Sequence, residues 1–527
     1  MFTGRMFDRL SKLLNVALSE RGLPLLLLGC AATSLFVFQN HTIGFDVGHS
    51  GWLSSGGLTL AKSLFTEGHL LMFFQRSVQA NGQIVYEPYN RFSLFPFLII
   101  GLAIRPFEPN LAWQVYVARQ VMNVFFVLSI LICFKSLRRL GRDPFLSLAL
   151  ALVVFSAAPL LYYSDMIFNE TPTLFGFLLA FYLVVQNQTS DRPTGRLIGF
   201  SILALSLGWQ PYAVFASWFL VDLFNWVRSR PFTLRHWGAF LKRPAAAALL
   251  VASLTGVTIL AFQLLNEWTV VGGSLLNLPS VQSIVWRFGL APAQAYTQVT
   301  DSLNWGNYFR AQVRNALVMM IPFTAVFPVD LTSTWCLGST TLATGLLLAG
   351  KIVRWKDRPL RNYPVLMIFV LSLILWAVVM RNFVAFHNFQ SMYYLGISIT
   401  LFTLLSSYLN PAAARFAAIG LCVLFILNVR NMNQIKEFGA GNVNEITQEF
   451  QAIYDRLPDQ STVFIDGDRH QLGIGYHAVN FYLIHTYTAS PATAEYVISA
   501  NPLYNQAPLT NNPHINLFVN SSAPSSP

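Results

Sequence analysis

Long apolar runs dominate this chain, and they restrict what it can fold into. A helix that crosses the hydrocarbon core of a bilayer needs roughly 17–25 predominantly apolar residues. Of the 527 residues, 54% are hydrophobic and only 11% are charged, whereas soluble domains carry about 25% charged residues. The composition therefore excludes a soluble globular protein and predicts a polytopic membrane protein.

Eleven runs have the length and composition of membrane spans, which predicts an all-α fold with about 11 transmembrane helices. Two of these runs lie within 197–228 and are separated by the sequence GWQP at 208–211. Two shorter apolar stretches, 93–107 and 315–329, are ambiguous. The other nine runs cover 24–41, 113–134, 145–162, 172–187, 244–264, 338–353, 363–380, 392–408 and 414–430.

The distribution of basic residues predicts how these spans are oriented. Positive charge accumulates in the cytoplasmic loops of membrane proteins. Loops 135–143, 188–196 and 228–243 together hold eleven Lys and Arg, whereas the opposite loops 163–171 and 208–212 hold none. This asymmetry predicts a cytoplasmic N-terminus and an extracytoplasmic C-terminus. It also makes the two ambiguous stretches re-entrant or in-plane elements of the outer face.

The excess of 34 Lys and Arg over 23 Asp and Glu has the same explanation. The basic residues cluster in short loops between apolar runs, so we expect membrane lipids and no nucleic acid as partners. The four cysteines predict neither a disulfide framework nor a metal site by their spacing.

Two outer loops and the C-terminal tail carry the remaining structure. Loops 42–112 and 265–337 have apolar residues at helical spacing and are predicted to form amphipathic helices in the membrane interface. Residues 1–430 are thus predicted to form the transmembrane domain. Residues 431–527 predict a small extracytoplasmic α/β domain with a helix near 444–456 and a disordered end rich in Ser and Pro. Its strand-like segments are TVFID (462–466), AEYVIS (494–499) and INLFV (515–519).

Acidic residues at the predicted outer ends of spans are the candidates for chemistry. Asp46 and His49, in GFDVGHSGW, follow the first apolar run, and Asp165 and Glu170, in YYSDMIFNETP, lie on the same predicted face. Converging carboxylates supply a general base and can also bind a metal ion. The alternative is structural, because Asp46 is suited to cap the following helix and Glu170 to stabilise a helix N-terminus.

These segments resemble the GT-C glycosyltransferases, polytopic enzymes that include protein O-mannosyltransferases and lipid A aminoarabinose transferases. The matching segments are GFDVGHSGW, YNRFSLFPFLIIGLAIRPF, YVARQVMNV and YSDMIFNETPTLFGFLLAFYLV, with weaker support from HNFQSMYYLGI and the tail. The resemblance covers roughly the first 190 residues. The first loop lacks the Asp-Glu pair of some members and has Asp-Val-Gly-His instead, so the acceptor class and any metal dependence stay open.

The resemblance implies an inverting transferase that moves a sugar from a polyprenyl phosphate to an acceptor hydroxyl of a lipid, glycan or protein. Asp46 is implied as the base, with Glu170 and Asp165 as further catalytic candidates; Asp46 and Glu170 would hold a divalent metal ion if one is used. The leaving phosphate needs positive charge, which a guanidinium supplies in bidentate form. The substrate-binding candidates are Arg119, Arg91, Arg381, His387, His49 and Tyr89, with Arg76, Arg310 and Arg314 as further arginines.

Arg119 is the most informative of these candidates, because an arginine within a span is costly and usually functional. Its alternative role is a structural pair with a carboxylate. The predicted location is the inner membrane of a bacterial-type cell. Two rival functions are a polysaccharide polymerase or ligase with diphosphate-linked donors and a lipid-linked sugar transporter or flippase. The break at 208–211 is a transporter feature, but no matching break occurs in the other half of the sequence.

Overall fold

The structure is a computed structural model, and only part of the chain is described below. Asp46, Arg91, Arg381, His387 and the predicted span 338–353 lie outside the described residues. The described residues are 22–38, 49–66, 70–78, 84–90, 92–108, 110–188, 190, 192–229, 234–288, 305–326, 363–380, 388–405, 411–454, 456–458, 461–466, 486–487, 494–499, 508–510 and 516–520.

Helices make up most of the described chain. The α-helices are α1 (Gly22–Val37), α2 (His49–Thr66), α3 (Leu94–Ile104), α4 (Leu111–Arg139), α5 (Pro144–Phe155), α6 (Ala158–Tyr162), α7 (Glu170–Asn187), α8 (Gly195–Ser206), α9 (Gln210–Ser229), α10 (Leu234–Phe240), α11 (Pro244–Val271), α12 (Pro279–Arg287), α13 (Trp305–Val318), α14 (Tyr363–Val379), α15 (Leu395–Leu405) and α16 (Pro411–Tyr454). Short 3₁₀ helices cover Arg105–Phe107, Leu275–Asn277 and Asn388–Tyr394.

The chain is a membrane protein by the length and apolarity of its helices. Within the described residues, three segments are long and apolar enough to cross a bilayer: Ala112–Arg139, Pro244–Val271 and Ala413–Lys436. Shorter apolar helices cover Gly22–Val37, Leu94–Phe107, Pro144–Phe155, Gly195–Ser206 and Val365–Val379. The count of eleven spans stays a prediction.

The segment predicted as one span at 145–162 is instead two helices, α5 and α6, which are separated by Ser156 and Ala157. Pro159 in the first turn of α6 has no N–H and disfavours a helical residue before it. The carbonyl of Ser156 accepts hydrogen bonds from the backbone N–H of Phe323 (3.1 Å) and from Nδ2 of Asn428 (2.8 Å). The backbone carbonyl at the break between α5 and α6 is thus hydrogen-bonded by groups that are distant in sequence.

Helix α2 differs from the interfacial helix predicted for this part of the first outer loop. Every side chain from 53 to 61 is buried, so the helix lies in the protein interior rather than on a lipid surface. A Cβ added to Gly57 would collide with the backbone carbonyl of Ile167. The glycine therefore lets α2 approach the segment that connects α6 to α7.

A six-stranded sheet joins the first outer loop to the C-terminal tail. Its strands are β1 (Phe73–Val78), β2 (Ile84–Pro88), β3 (Thr462–Asp466), β4 (Thr486–Tyr487), β5 (Tyr496–Ser499) and β6 (Asn516–Val519), in the order β2-β1-β4-β3-β5-β6. The tail strands form at the predicted segments TVFID, AEYVIS and INLFV. The β1–β2 hairpin was not predicted: loop 42–112 was predicted to form amphipathic helices in the membrane interface, and Phe73–Val78 instead pairs with Ile84–Pro88 as antiparallel strands.

Strands β1 and β4 connect the two parts of this sheet in parallel, with Ser77 opposite Tyr487. β3 runs parallel to both β4 and β5, and β6 pairs antiparallel to β5. Helix α16 leads from the last predicted span into the tail without interruption, and it includes most of the helix predicted near 444–456.

Candidate functional site

Glu170 begins helix α7 and is fully buried, with 0% of its surface exposed. The hydroxyl of Tyr393 donates a hydrogen bond to Oε2 of Glu170 at 2.5 Å, and Nε2 of Gln390 donates to the same oxygen at 3.4 Å. Oε1 accepts no hydrogen bond from the described residues. A buried carboxylate thus keeps one oxygen available for another group.

The surroundings of Glu170 favour its protonated form more than water would. Glu170 lies ahead of the predicted span 172–187, in the outer loop. Burial raises the pKa of Glu170 to about 7, while the hydrogen bond from Tyr393 and the positive charge of Arg287 act in the opposite direction. A carboxyl group with a pKa near the working pH is suited to take up and release a proton.

An apolar cavity of about 330 Å³ is connected to Glu170 through a chain of two hydrogen bonds, although Glu170 does not line it. It is bounded by α9, α11, α12 and α14, and Arg287 and Trp376 stand in its wall. The indole N–H of Trp376 donates to Oε1 of Gln390 at 3.1 Å, and Gln390 in turn donates to Glu170. The full lining is Trp209, Tyr212, Ala213, Ala216, Leu260, Ile284, Arg287, Phe288, Leu375, Trp376, Val379 and Met380. The cavity and the carboxylate are therefore connected by one amide side chain.

Arg287 is held at the cavity by contacts around α12. Its side chain is buried, and its guanidinium carbon lies 4.6 Å from the centre of the Phe92 ring, a cation–π distance. Glu267, at the end of α11, accepts a hydrogen bond from the backbone N–H of Ser280 in the first turn of α12 (3.0 Å) and another from Nδ2 of Asn90 (3.3 Å). These bonds fix α12 against the segment that contains Phe92.

The break at 208–211 lies next to the same site. A Cβ on Gly208 would collide with the side chain of Thr173, and the hydroxyl of Thr173 donates to the carbonyl of Leu207 at 2.8 Å. Nε2 of Gln210 lies 3.5 Å from Oε1 of Gln390. The interruption between α8 and α9 therefore packs against the first turn of α7, the helix that Glu170 begins.

Asp165 is also buried, but its neighbours are cations. Nζ of Lys436 donates to Oδ1 of Asp165 at 2.6 Å and to the carbonyl of Leu161 at 3.1 Å. Burial alone would raise the pKa of Asp165, but the positive charges of Lys436 and Arg119 outweigh it and hold this pKa below its usual value. The charge of Asp165 is thus compensated within the protein.

The segment from Asp165 to Glu170 is fixed on several sides. The backbone N–H of Ile167 donates to the hydroxyl of Ser54 in α2 at 3.2 Å. The ring of Phe168 packs edge-on against Phe92 and Phe97. Both carboxylates therefore stand on a rigid support, which a catalytic site requires.

The structure separates the predicted site residues into distinct groups. Asp165 and Arg119 attract each other in one buried cluster, and Glu170 belongs to another. Tyr89 is buried, and its ring contacts Phe92 at 5.6 Å between centroids. His49 is the first residue of α2.

Arg310 and Arg314 are exposed on α13. Arg76 lies in β1.

Arg287, Gln390, Tyr393 and Gln210 were not among the predicted site residues. Three of them lie in segments that the sequence does single out: Gln390 and Tyr393 in HNFQSMYYLGI, and Gln210 in the break at 208–211. Arg287 lies in an arginine-containing stretch, WRFGLAP, of the second outer loop. An arginine next to a tryptophan in an apolar outer loop is the signal that would have found it.

The described groups around Glu170 are a poor fit for a divalent metal ion. Within the described part of the chain they are a hydroxyl, an amide N–H and a guanidinium, all of which donate hydrogen bonds, whereas hard cations need several oxygen ligands. Among the residues that the structure describes, no three His, Cys, Asp or Glu side chains lie together. The predicted pair of Asp46 and Glu170 stays a prediction, and no step below runs through a metal.

Comparison with known proteins gives structural neighbours but no sequence relatives. No protein family matches the chain, and no curated protein does. ArnT from Cupriavidus metallidurans bound to undecaprenyl phosphate is 11% identical, with a TM-score of 0.42, over 96% of this chain and 100% of that one. The apo oligosaccharyltransferase of Archaeoglobus fulgidus is 11% identical, with a TM-score of 0.47, over 90% of this chain and 69% of that one.

The same oligosaccharyltransferase in complex with Zn and sulfate is 12% identical, with a TM-score of 0.46, over 90% of this chain and 68% of that one. Function resides in the site rather than in the fold, so the role of each residue depends on its own geometry.

Proposed function

We propose that this protein is an inverting membrane glycosyltransferase that takes a sugar from a polyprenyl-phosphate-linked donor and transfers it to an acceptor hydroxyl at the outer face of the membrane. The observation that carries the proposal is the buried carboxylate of Glu170, whose Oε1 accepts no hydrogen bond from the described residues. Its partner Gln390 also bonds to Trp376, in the wall of an apolar cavity that contains Arg287. In the proposal, Glu170 is the base, the apolar cavity binds the lipid, and Arg287 supplies the positive charge that binds the phosphate.

The cavity is suited to the isoprenoid part of the donor. Its walls are aliphatic and aromatic, and a ligand pocket of this kind gains affinity from the apolar surface that it removes from water. Arg287 is the cation in this wall. A guanidinium binds a phosphate through two parallel hydrogen bonds, so Arg287 would hold the donor phosphate and stabilise the charge that it gains on leaving.

Glu170 is suited to remove the acceptor proton. In the proposed step, the acceptor oxygen forms a bond to the anomeric carbon while the bond from that carbon to the phosphate oxygen breaks. The bonding electrons leave with the polyprenyl phosphate, and the acceptor proton passes to the carboxylate of Glu170. A single displacement from the opposite face inverts the anomeric configuration.

Asp46 keeps the role of an alternative base, as the sequence predicts. Asp165 has a different role in the proposal, because Lys436 and Arg119 neutralise it and a neutralised carboxylate is a weak base. We assign Arg119 to the same structural cluster as Asp165. This is the alternative role, a structural pair with a carboxylate, that the sequence left open for Arg119.

We also propose a bacterial-type inner membrane as the location, with a cytoplasmic N-terminus and an extracytoplasmic C-terminus. The orientation rests on the charge asymmetry of the loops. The transporter alternative stays open, with the break at 208–211, which packs against the first turn of α7, as its supporting feature. The polymerase or ligase alternative differs in the donor, which would carry a diphosphate.

A transfer assay on the full chain in lipid nanodiscs tests the proposal. Undecaprenyl monophosphate and diphosphate carrying a radiolabelled sugar are supplied with total membrane lipids and glycans as acceptors. We expect label to move from the monophosphate donor, and Glu170→Gln to lower that rate by about 10²–10⁴-fold. Asp222→Asn is the control, since Asp222 pairs with Arg243 at the other predicted membrane face.

Three results would contradict the proposal. Transfer from the diphosphate donor alone would favour the polymerase or ligase. Movement of the intact lipid across the bilayer of sealed vesicles that contain the protein, without transfer, would favour the transporter. A Glu170→Gln variant with near-normal transfer would remove Glu170 from the reaction and leave Asp46 as the base, which Asp46→Asn then tests.

A further inference from the structure

A second cavity, of about 310 Å³, lies apart from the apolar one. Its walls come from α6, α13, α16 and the 3₁₀ helix Asn388–Tyr394, so it shares no lining residue with the first cavity. The lining residues are Ala158, Pro159, Tyr162, Tyr163, Arg314, Asn315, Val318, Ser391 and Met432. This cavity is not used by the donor or by the proton transfer proposed above.

The chemistry of this cavity differs from that of the apolar one. Two tyrosines stand side by side, with ring centroids 5.0 Å apart and ring planes almost perpendicular. An amide, a hydroxyl and a guanidinium come from Asn315, Ser391 and Arg314. Aromatic faces pack on the C–H face of a sugar ring, while amides and hydroxyls bond to its hydroxyl groups. The guanidinium adds a site for an anion.

The 3₁₀ helix Asn388–Tyr394 stands between the two cavities. Gln390 bonds to Trp376 in the wall of the apolar cavity, whereas the next residue, Ser391, lines the second cavity. Tyr393 of the same helix donates to Glu170. One short helix therefore contacts both cavities and also donates a hydrogen bond to the carboxylate of Glu170.

The wall of the second cavity is also connected to the segment that contains Glu170. Tyr163 precedes the fixed segment that ends at Glu170, and its carbonyl accepts a hydrogen bond from the hydroxyl of Thr171 at 3.2 Å. Each cavity thus has a wall residue that is connected by hydrogen bonds to Glu170 or to its neighbour in the chain, while Glu170 itself lines neither cavity. A reaction between two substrates needs this arrangement, because the base must meet the acceptor hydroxyl where the donor carbon is presented.

We propose that the second cavity binds the acceptor, and that the acceptor is a saccharide carrying an anionic group, a phosphate or a carboxylate. Arg314 holds the anion, Asn315 and Ser391 bond to sugar hydroxyls, and the tyrosines pack on the ring. The inference rests on the proposed transferase function and adds the chemical class of its acceptor. It assigns Arg314 to the anionic group of the acceptor and Arg287 to the phosphate of the donor.

α13 offers a matched control for the charge of Arg314. Arg310 lies one helical turn earlier on the same helix and is likewise exposed, but it does not line the cavity. Replacing either arginine removes one positive charge from the same helix. Only a specific site distinguishes the two positions.

The test is ligand-observed saturation-transfer NMR on the full chain in nanodiscs, with glucose 1-phosphate, glucuronate, glucose and inorganic phosphate as probes. We expect both anionic sugars to bind more tightly than glucose or phosphate. Arg314→Ala should weaken the anionic sugars by about 10–100-fold, the range for a lost hydrogen bond to a charged group. Arg310→Ala should leave them unchanged, and Asn315→Leu should weaken both the anionic sugars and glucose.

Equal losses in Arg310→Ala and Arg314→Ala would indicate a diffuse surface charge and overturn the inference. Unchanged binding in Arg314→Ala would also overturn it. Native mass spectrometry of the same samples with undecaprenyl phosphate reports separately on the donor site. If the lipid binds and the sugars do not, only the acceptor assignment fails; if the lipid does not bind, the proposed function fails whatever the sugars do.

Discussion

Asp165 and Glu170 are five residues apart and both buried, yet they stand in opposite surroundings. Asp165 accepts a hydrogen bond from Lys436 and lies within the field of Arg119, so its charge is balanced. Glu170 has a tyrosine hydroxyl and an amide, rather than a cation, as hydrogen-bond partners. In each carboxylate one oxygen, Oδ2 of Asp165 and Oε1 of Glu170, accepts no hydrogen bond from the described residues, so the partners and not the free oxygen distinguish the two. Two carboxylates on one segment can therefore have different roles, and the partners of each indicate which role it has.

The largest expected difference between the two regions is in the reaction rate. Glu170→Gln keeps the shape of the side chain but cannot accept the proton, so we expect transfer to fall by about 10²–10⁴-fold with little loss of stability. Radiolabel transfer and thermal unfolding, measured on the same nanodisc sample, give both quantities. If Asp46→Asn loses more activity than Glu170→Gln, Asp46 is the base, as the sequence predicts.

The next effect is on stability, in the Asp165 region. Lys436→Met removes the hydrogen-bonded cation of Asp165 and leaves Arg119 as the remaining cation that the carboxylate attracts. Breaking a buried ion pair by removing one partner costs about 3–5 kcal/mol. Unfolding in increasing SDS or urea measures this loss. Adding Asp165→Asn to Lys436→Met should recover much of it, because the carboxylate that lost its hydrogen-bonded cation is then absent. A double variant as unstable as Lys436→Met alone would contradict the ion-pair explanation.

The two carboxylates should also respond to pH in opposite directions. The pKa of Asp165 is lowered by folding, so its contribution to stability is present above its ordinary value and is lost as the pH falls. The pKa of Glu170 is raised to about 7, so its contribution is complete at acidic pH and is lost as the pH rises through about 7. The rate should rise over that same interval, because only the ionised form of Glu170 acts as a base.

Tyr393→Phe sharpens this contrast. The hydroxyl of Tyr393 lowers the pKa of Glu170, so its removal should shift the midpoint of the pH–rate profile upward by about one unit, the equivalent of one hydrogen bond to a charged group. A profile of kcat/KM from about pH 5 to about pH 9 measures the shift. Tyr394→Phe is the control, since Tyr394 donates to Gln312 instead. A downward shift would assign the profile to another group.

The smallest expected effect concerns the Phe92 ring, against which the guanidinium of Arg287 packs. Phe92→Leu removes the ring under the guanidinium but keeps an apolar side chain, and a cation–π contact contributes about 0.5–2 kcal/mol. We expect binding of undecaprenyl phosphate, followed by native mass spectrometry, to weaken by only a few-fold. Arg287→Ala should weaken it far more. Equal effects of the two substitutions would mean that the ring, rather than the charge, determines donor binding.

Much of the architecture could be predicted from local patterns. Apolar runs mark the helices of the described chain, and the strands of the tail form where alternating or β-branched segments predict them. The break at 208–211 is visible from its Gly and Pro. The helix at 49–66 was misjudged because its leucines fit both an interfacial and a buried helix, and periodicity alone does not separate these cases.

The site itself depends on contacts that no local pattern contains. Glu170 and Tyr393 are 223 positions apart, and their hydrogen bond exists only because α7 and the 3₁₀ helix Asn388–Tyr394 pack together. The sequence selected Asp165 and Glu170 alike by their position after a span. It could not separate them, because Lys436 and Arg119 approach Asp165 from two other helices.

The sheet has a consequence for how the protein is made. Residue 77 pairs with residue 487, so the edge of β1 stays open while the intervening helices are synthesised and inserted. An unpaired strand edge is a template for wrong pairing, and closing so long a loop is slow. β1 and the tail strands can then pair only after the helices between them have been synthesised. Completion of this sheet is therefore a late step in the folding of this chain, and a chain that stalls before β4 keeps the edge of β1 exposed.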